Sequence, residues 1–197
     1  DLFNNKGVNN TFTRSISLSK QIKEMKSENK ILVVRLFDED PSRLTDLFIA
    51  TKYTQEVIDG AFIVSKALQT KKIFFMGAKN ISYNLDFSKY KDIDCEFIEV
   101  DTNVYPCGYK QNLIEKIKEC DSFEDTINLN KSALFIDPQC AYDAYYAVFY
   151  GLPVIEHFVH VTGNCLRSAA MFKVRIGTPI QDLIEQCGGF KIKLGKL

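Results

Sequence analysis

Residues 31–77, ILVVRLFDEDPSRLTDLFIATKYTQEVIDGAFIVSKALQTKKIFFMG, open on an apolar run interrupted only by Arg35 and close on a second apolar run. ILVVRLF and KIFFMG read as strands buried on both faces, because each is short, nearly continuous in apolar side chains and rich in branched or aromatic residues. Between them, PSRLTDLFIATKYTQEVIDGAFIVSKALQT carries apolar residues at helical spacing, enough for one or two amphipathic helices. Strands alternating with helices in this way predict a largely parallel sheet with helices on both faces.

The same alternation extends in both directions. SISLSKQIKEMKSENK (15–30) reads as a helix whose alternating charges form one solvated face. CEFIEV (95–100) reads as a strand, YKQNLIEKIKEC (109–120) as a helix, SALFID (132–137) as a strand and AYDAYYAVFY (141–150) as a helix ending at Gly151. The aromatic run of that last helix, Tyr142, Tyr145, Tyr146, Phe149 and Tyr150, has the spacing of a core and interface stripe. After Gly151 the rhythm changes: PVIEHFVHVTG (153–163) and MFKVRIG (171–177) read as two strands, followed by a short helix in TPIQDLIEQCGG. There Thr178 is the expected cap, Pro179 the first helical residue, Gln181 the reciprocal partner and Gly188 the left-handed stop. Ile180, Leu183 and Ile184 should face the strands. Two strands and a helix are the first half of a β-grasp module. The expected organisation is an α/β domain over residues 1–152 and a small, truncated module over 153–197, the whole being a piece of a longer protein.

Twenty-five basic and twenty-five acidic residues leave no net charge, so composition does not favour a nucleic-acid backbone or an anionic membrane surface as partner. No stretch reaches the roughly 18 consecutive apolar residues of a membrane helix, and direct membrane insertion is not expected. Cys95, Cys107, Cys120, Cys140, Cys165 and Cys187 lie 12 to 25 residues apart without a C-x-x-C, and His157 and His160 diverge on a strand, so no metal ligands are expected. The cysteines read as reduced thiols of a cytoplasmic protein.

GLPVIEHFVHVTG followed by FKVRIGTPIQDLIEQCGG resembles the soluble-ligand-binding β-grasp (SLBB) domain of RnfC-type electron-transport subunits, relatives of the flavin- and NADH-binding subunit of respiratory complex I. FDEDPSRLTDLFIATKYTQEVIDGAFIVSKAL resembles the acidic loop and long helix of that family's flavin domain, and VYPCGYKQNLI resembles its Y-P-x-G loop. The resemblance covers about residues 5 to 197. It implies flavin mononucleotide as cofactor, a nicotinamide nucleotide as a further ligand, and other subunits or domains of a redox complex as partners at the periphery of a membrane assembly. Carried over residue by residue, the flavin-binding positions are Gly7, Asn9, Asn10 and Phe12 in the first loop, Asp38, Glu39 and Asp40 in the acidic loop, Tyr105 and Gly108 in the third, and Asp137 in the fourth. No catalytic residue is implied.

Each loop departs from the family pattern. Asn9 and Asn10 stand where glycines let backbone amides approach a phosphate, and the proline after Phe12 is missing. Arg35 stands near the position of an asparagine, Lys110 and Gln111 replace a Glu-Lys pair, and Asp137-Pro138 replaces an asparagine-containing turn. Side chains at Asn9 and Asn10 are expected to fill ligand space. The sequence therefore predicts an RnfC-like electron-transfer domain, NADH or flavin to iron–sulfur in type, with a drifted flavin site. A non-catalytic docking module of a redox complex and a cobalamin-reductase-like ligand-binding protein stand as alternatives.

Overall fold

A computed structural model describes residues 1–120 and 127–191. In chain order the elements are α1 (Leu2–Lys6), β1 (Asn9–Asn10), β2 (Ile16–Ser17), α2 (Leu18–Glu24), β3 (Ile31–Arg35), α3 (Thr45–Lys52), α4 (Thr54–Leu68), β4 (Lys72–Ala78) and β5 (Asp94–Val100). They continue with α5 (Lys110–Lys118), α6 (Leu129–Ser132), β6 (Ala133–Ile136), α7 (Pro138–Phe149), β7 (Glu156–Val161), β8 (Ala170–Arg175) and α8 (Ile180–Gln186). They fall into two compact units, Asp1–Val154 and Ile155–Leu197.

The first unit is the expected α/β layer. Its four-stranded sheet runs β5-β4-β3-β6 with every neighbouring pair parallel. All of Ile31–Arg35 is buried, as a central strand covered on both faces requires. Alternation sorts the side chains: Ile31, Val33, Phe74, Met76, Ala133 and Phe135 share one core with Leu113, Ile114 and Ile117 of α5. On the opposite face α4 and α7 pack together. A Cβ on Gly60 would lie 1.9 Å from the Ala141 carbonyl oxygen, so their approach at this crossing requires glycine.

Several boundaries differ from the sequence reading. The helix expected over 15–30 is confined to α2: Ser17, at the end of a two-residue strand, accepts from the Lys20 amide (3.4 Å), and Met25 is already extended. Helix α7 begins at Pro138 instead of Ala141, because Asp137 accepts from the Cys140 amide (2.8 Å) and proline suits the first turn. The aromatic stripe of α7 leaves the core at its far end: Tyr142 is buried, whereas Phe149 and Tyr150 are exposed.

In the second unit β7 and β8 pair antiparallel, and Leu166 bridges Phe190. Helix α8 lacks the expected capping box. Thr178 Oγ1 donates to the Arg175 carbonyl (2.7 Å) instead of accepting from the helix, Pro179 occupies the cap position, and Gln181 donates to Glu185 (3.0 Å). Leu183 is buried but Ile180 is 74% exposed, so the face that α8 buries is narrower than predicted. Gly188 has the expected left-handed φ of 80°.

Candidate functional site

In an open parallel sheet, ligands bind beyond the carboxyl ends of the strands where the strand order reverses. Here the chain proceeds from β3 to β4 on one side, whereas β6 lies on the other, so the reversal falls between β3 and β6. Three of the four expected loops, 38–40, 105–108 and 137, follow the carboxyl ends of β3, β5 and β6. The first loop reaches the same edge through Phe12, whose ring centroid lies 5.5 Å from that of Phe135 in β6.

Arg35 is the centre of this edge. It ends β3, is 2% exposed, and its guanidinium carbon sits 4.3 Å from the Phe12 ring centroid. Nη1 donates to the Gly108 carbonyl (2.8 Å) and approaches Glu39 Oε2 (3.5 Å), and Nη2 donates to Asp46 Oδ2 (3.1 Å). Nε has no hydrogen-bond partner among the described residues. A buried cation is tolerable only when paired and hydrogen-bonded, and one guanidinium thereby ties β3 to α3, to the acidic loop and to the third loop.

The acidic loop is built around this tie. Asp38 is buried and accepts from the Asp46 and Leu47 amides (3.0 and 3.1 Å), which caps α3 and explains a carboxylate placed just before that helix. Glu39 is partly buried beside Arg35. Asp40 is exposed and accepts from the Ser42 amide (2.8 Å), which holds its carboxyl below the ordinary aspartate range. In the third loop a Cβ on Gly108 would lie 2.7 Å from the Glu39 Cα, so this glycine lets two backbones touch. Tyr105 is exposed, with its hydroxyl 3.1 Å from that of Tyr109.

In the first loop the two asparagines form a short strand. Asn9 and Asn10 are extended and pair with Ser17 and Ile16, so they do not use the left-handed backbone that asparagine permits. Asn10 is buried: Nδ2 donates to the Phe135 carbonyl (2.7 Å) and to Gln21 (2.9 Å), and Oδ1 accepts from the Phe12 amide (3.1 Å). Its side chain fastens the loop to β6. Phe12, with 5% exposure, and Arg35 pack against each other at this edge. Gly7 serves α1 as its left-handed stop, with φ 74°.

The electrostatics follow from burial. Asp46 is pushed up to about 8 by desolvation, with Asp137 and Asp38 adding to the rise and Arg35 opposing it. Burial also raises Asp137, against the Cys140 amide that lowers it. Lys110, half-buried at the start of α5 with its ammonium 5.3 Å from the Phe135 ring centroid, is shifted down by desolvation. Burial raises the Cys107 thiol, which suits packing better than redox chemistry. Among the described residues no group of three or more His, Cys, Asp or Glu side chains could hold a metal ion, and no helix is long and apolar enough to cross a membrane.

Asp46 is not a candidate on sequence grounds, since an aspartate in the first turn of a helix is ordinarily solvated. The available signal is Arg35 itself: a lone cation in an otherwise apolar buried strand requires a buried acid nearby.

Comparison with known proteins agrees with this fold. The SLBB domain model matches residues 158–196. The C subunit of the ion-translocating oxidoreductase complex of Rhodobacter capsulatus is 26% identical over 183 residues, which is 91% of this chain and 35% of that protein. The C subunit of the Na(+)-translocating ferredoxin:NAD(+) oxidoreductase complex of Acetobacterium woodii is 24% identical over 162 residues, covering 80% of this chain and 36% of that one. The chain thus spans about a third of the length of these relatives. A chain in the crystal structure of an NAD+-reducing [NiFe]-hydrogenase in the H2-reduced state has the same fold, with a TM-score of 0.74 and 11% identity over 96% of this chain and 38% of that one. A four-stranded parallel α/β unit, an SLBB match over residues 158–196, and similarity to C subunits over most of the sequence make this chain RnfC-like.

Proposed function

We propose that the chain is the electron-transfer domain of an RnfC-like subunit of a redox complex, and that its flavin site is closed. The observation that carries this reading is the burial of Arg35 and Phe12 between β3 and β6, where a flavin and a nicotinamide nucleotide would enter. A flavin ring cannot share that space, and the Asn10 amide is committed to the Phe135 carbonyl. The residues present do not fit flavin mononucleotide. The partners are other subunits or domains of the complex, at the cytoplasmic periphery of a membrane assembly.

The closed crevice also favours a second reading, in which the scaffold serves that complex by docking alone. Combining Phe12→Ala with Arg35→Asn and Asp46→Asn separates the two, because it removes both halves of the plug without leaving an unpaired buried carboxylate at position 46. In a flavin-fluorescence titration the triple variant should gain at least tenfold in affinity if an electron-transfer site is merely plugged. No gain supports docking. Micromolar binding by the unmodified chain overturns the closed-site reading.

A further inference from the structure

The four-stranded sheet ends differently on its two sides. At β6 the Asn10 amide closes on the Phe135 carbonyl. Strand β5 lies at the other side, is seven residues long and pairs with β4 alone. The Asp94 amide donates to the Lys71 carbonyl (2.7 Å), and the Val100 carbonyl accepts from the Lys79 amide (2.8 Å), so the even-numbered residues of β5 turn their peptide groups towards β4. Alternate residues of a strand turn theirs the opposite way, and Cys95, Phe97 and Glu99 therefore offer N–H and C=O groups outward. Among the described residues no backbone group meets them.

A long open edge is what natural sheets shorten, cover or guard with charge. Here the guard has one sign. Residues 92–101 hold five acids, Asp92, Asp94, Glu96, Glu99 and Asp101, and no lysine or arginine. Lys72 of β4 answers two of them, Asp94 (2.7 Å) and Glu96 (3.1 Å), and exposed Lys79 and Lys91 stand at the two ends of the strand. Asp92, Glu99 and Asp101 are exposed. In the middle of this acidic stretch Phe97 is 37% exposed, its ring seated over Gly77, where a Cβ would lie 2.6 Å from it, and 5.8 Å from the Tyr83 ring. The edge thus presents fixed backbone groups, an apolar centre and acidic flanks. Like charges facing each other across a pair of strands are destabilising and opposite charges stabilise, so the acids disfavour a second copy of this edge and favour a basic strand.

We propose that β5 is a docking edge, to which an extended, basic segment of another protein adds as a fifth strand. Its backbone pairs with Cys95, Phe97 and Glu99, its lysines or arginines face the acids of 92–101, and an apolar residue between them covers Phe97. Main-chain hydrogen bonds supply the hold, and the alternation of cationic and apolar side chains supplies the choice of partner. This rests on the reading above only in taking another subunit of the redox complex as the source of the segment.

The test is amide NMR on the whole chain, without flavin, with the synthetic peptide acetyl-Thr-Lys-Val-Lys-Val-Lys-Thr-amide as probe. In the free chain the Cys95, Phe97 and Glu99 amides should exchange with solvent roughly a hundredfold faster than those of Glu96 and Ile98, which β4 holds. The peptide should move the three outward amides downfield along one saturable curve, with a dissociation constant of about 1 mM or tighter, while the amides of β3 stay in place. The same peptide with glutamate for each lysine should not bind, and neither should the basic peptide with every backbone nitrogen methylated, which keeps the charge and removes the donors. Glu99→Lys, at an exposed position, should weaken the basic peptide by about threefold or more. Slow exchange of the three amides in the free chain, shifts that follow chain concentration without peptide and so assign the edge to a second copy, equal binding of the acidic or methylated peptide, or no saturable shift would each overturn the docking edge. Because flavin is absent, a failed edge leaves the closed-site reading to its own titration.

Discussion

One side chain decides the chemistry of the carboxyl edge. Arg35 contacts acids four and eleven residues further along the chain, so truncating it leaves Glu39 and Asp46 without their cation. Arg35→Ala leaves the buried Gly108 carbonyl and Asp46 carboxyl without their donor and should lower the urea-unfolding free energy by about 1–3 kcal/mol for each group left unsatisfied. Asp46 makes a different prediction. Its pKa is raised in the folded state, to about 8, so the folded chain keeps a proton that the unfolded chain releases above roughly pH 4. Stability should therefore fall as pH rises between those values, with a slope of at most about 1.4 kcal/mol per pH unit from this group, and level off above. Denaturant unfolding at a series of pH values measures that slope, and Asp46→Asn should flatten it. The sequence marks the loops but not the plug. Gly108, Glu39 and Asp137 are legible as loop residues, whereas Asp46 is not, because local spacing carries no record of an acid meeting a cation eleven residues away.

At the scale of elements, periodicity locates the central strands and the two helices of 45–68 correctly, because burial on both sides leaves an almost uninterrupted apolar run. It fails where polar contacts set the ends. The 15–30 pattern overstates its helix because solvated charges continue past Glu24, and the capping signature of α8 misleads because Thr178 spends its hydroxyl on the Arg175 carbonyl. The crossing of α4 and α7 is not visible in the sequence as a contact, although Gly60 in mid-helix hints at close approach. Gly60→Ala places a methyl against a backbone oxygen that cannot rotate away. It should destabilise the chain by about 1–3 kcal/mol through overpacking, despite alanine's better helix propensity. Asp137→Ala should cost roughly 1–2 kcal/mol by removing the α7 cap. Thermal unfolding monitored by far-ultraviolet circular dichroism ranks both.

For the whole molecule, similarity to C subunits of ion-translocating complexes covers most of the sequence, while Arg35 at the carboxyl edge of the sheet is held by the Gly108 carbonyl and Asp46. The strands, their order and the SLBB match carry the similarity, and on the proposed reading Phe12 and Arg35 close the crevice. That closure is the central claim, and flavin mononucleotide tests it directly. The chain as purified should show no absorbance near 450 nm, and titration should leave flavin fluorescence unquenched up to about 100 μM, the range in which binding contributes less than roughly 6 kcal/mol. A yellow protein, or saturable quenching at micromolar flavin, would contradict it.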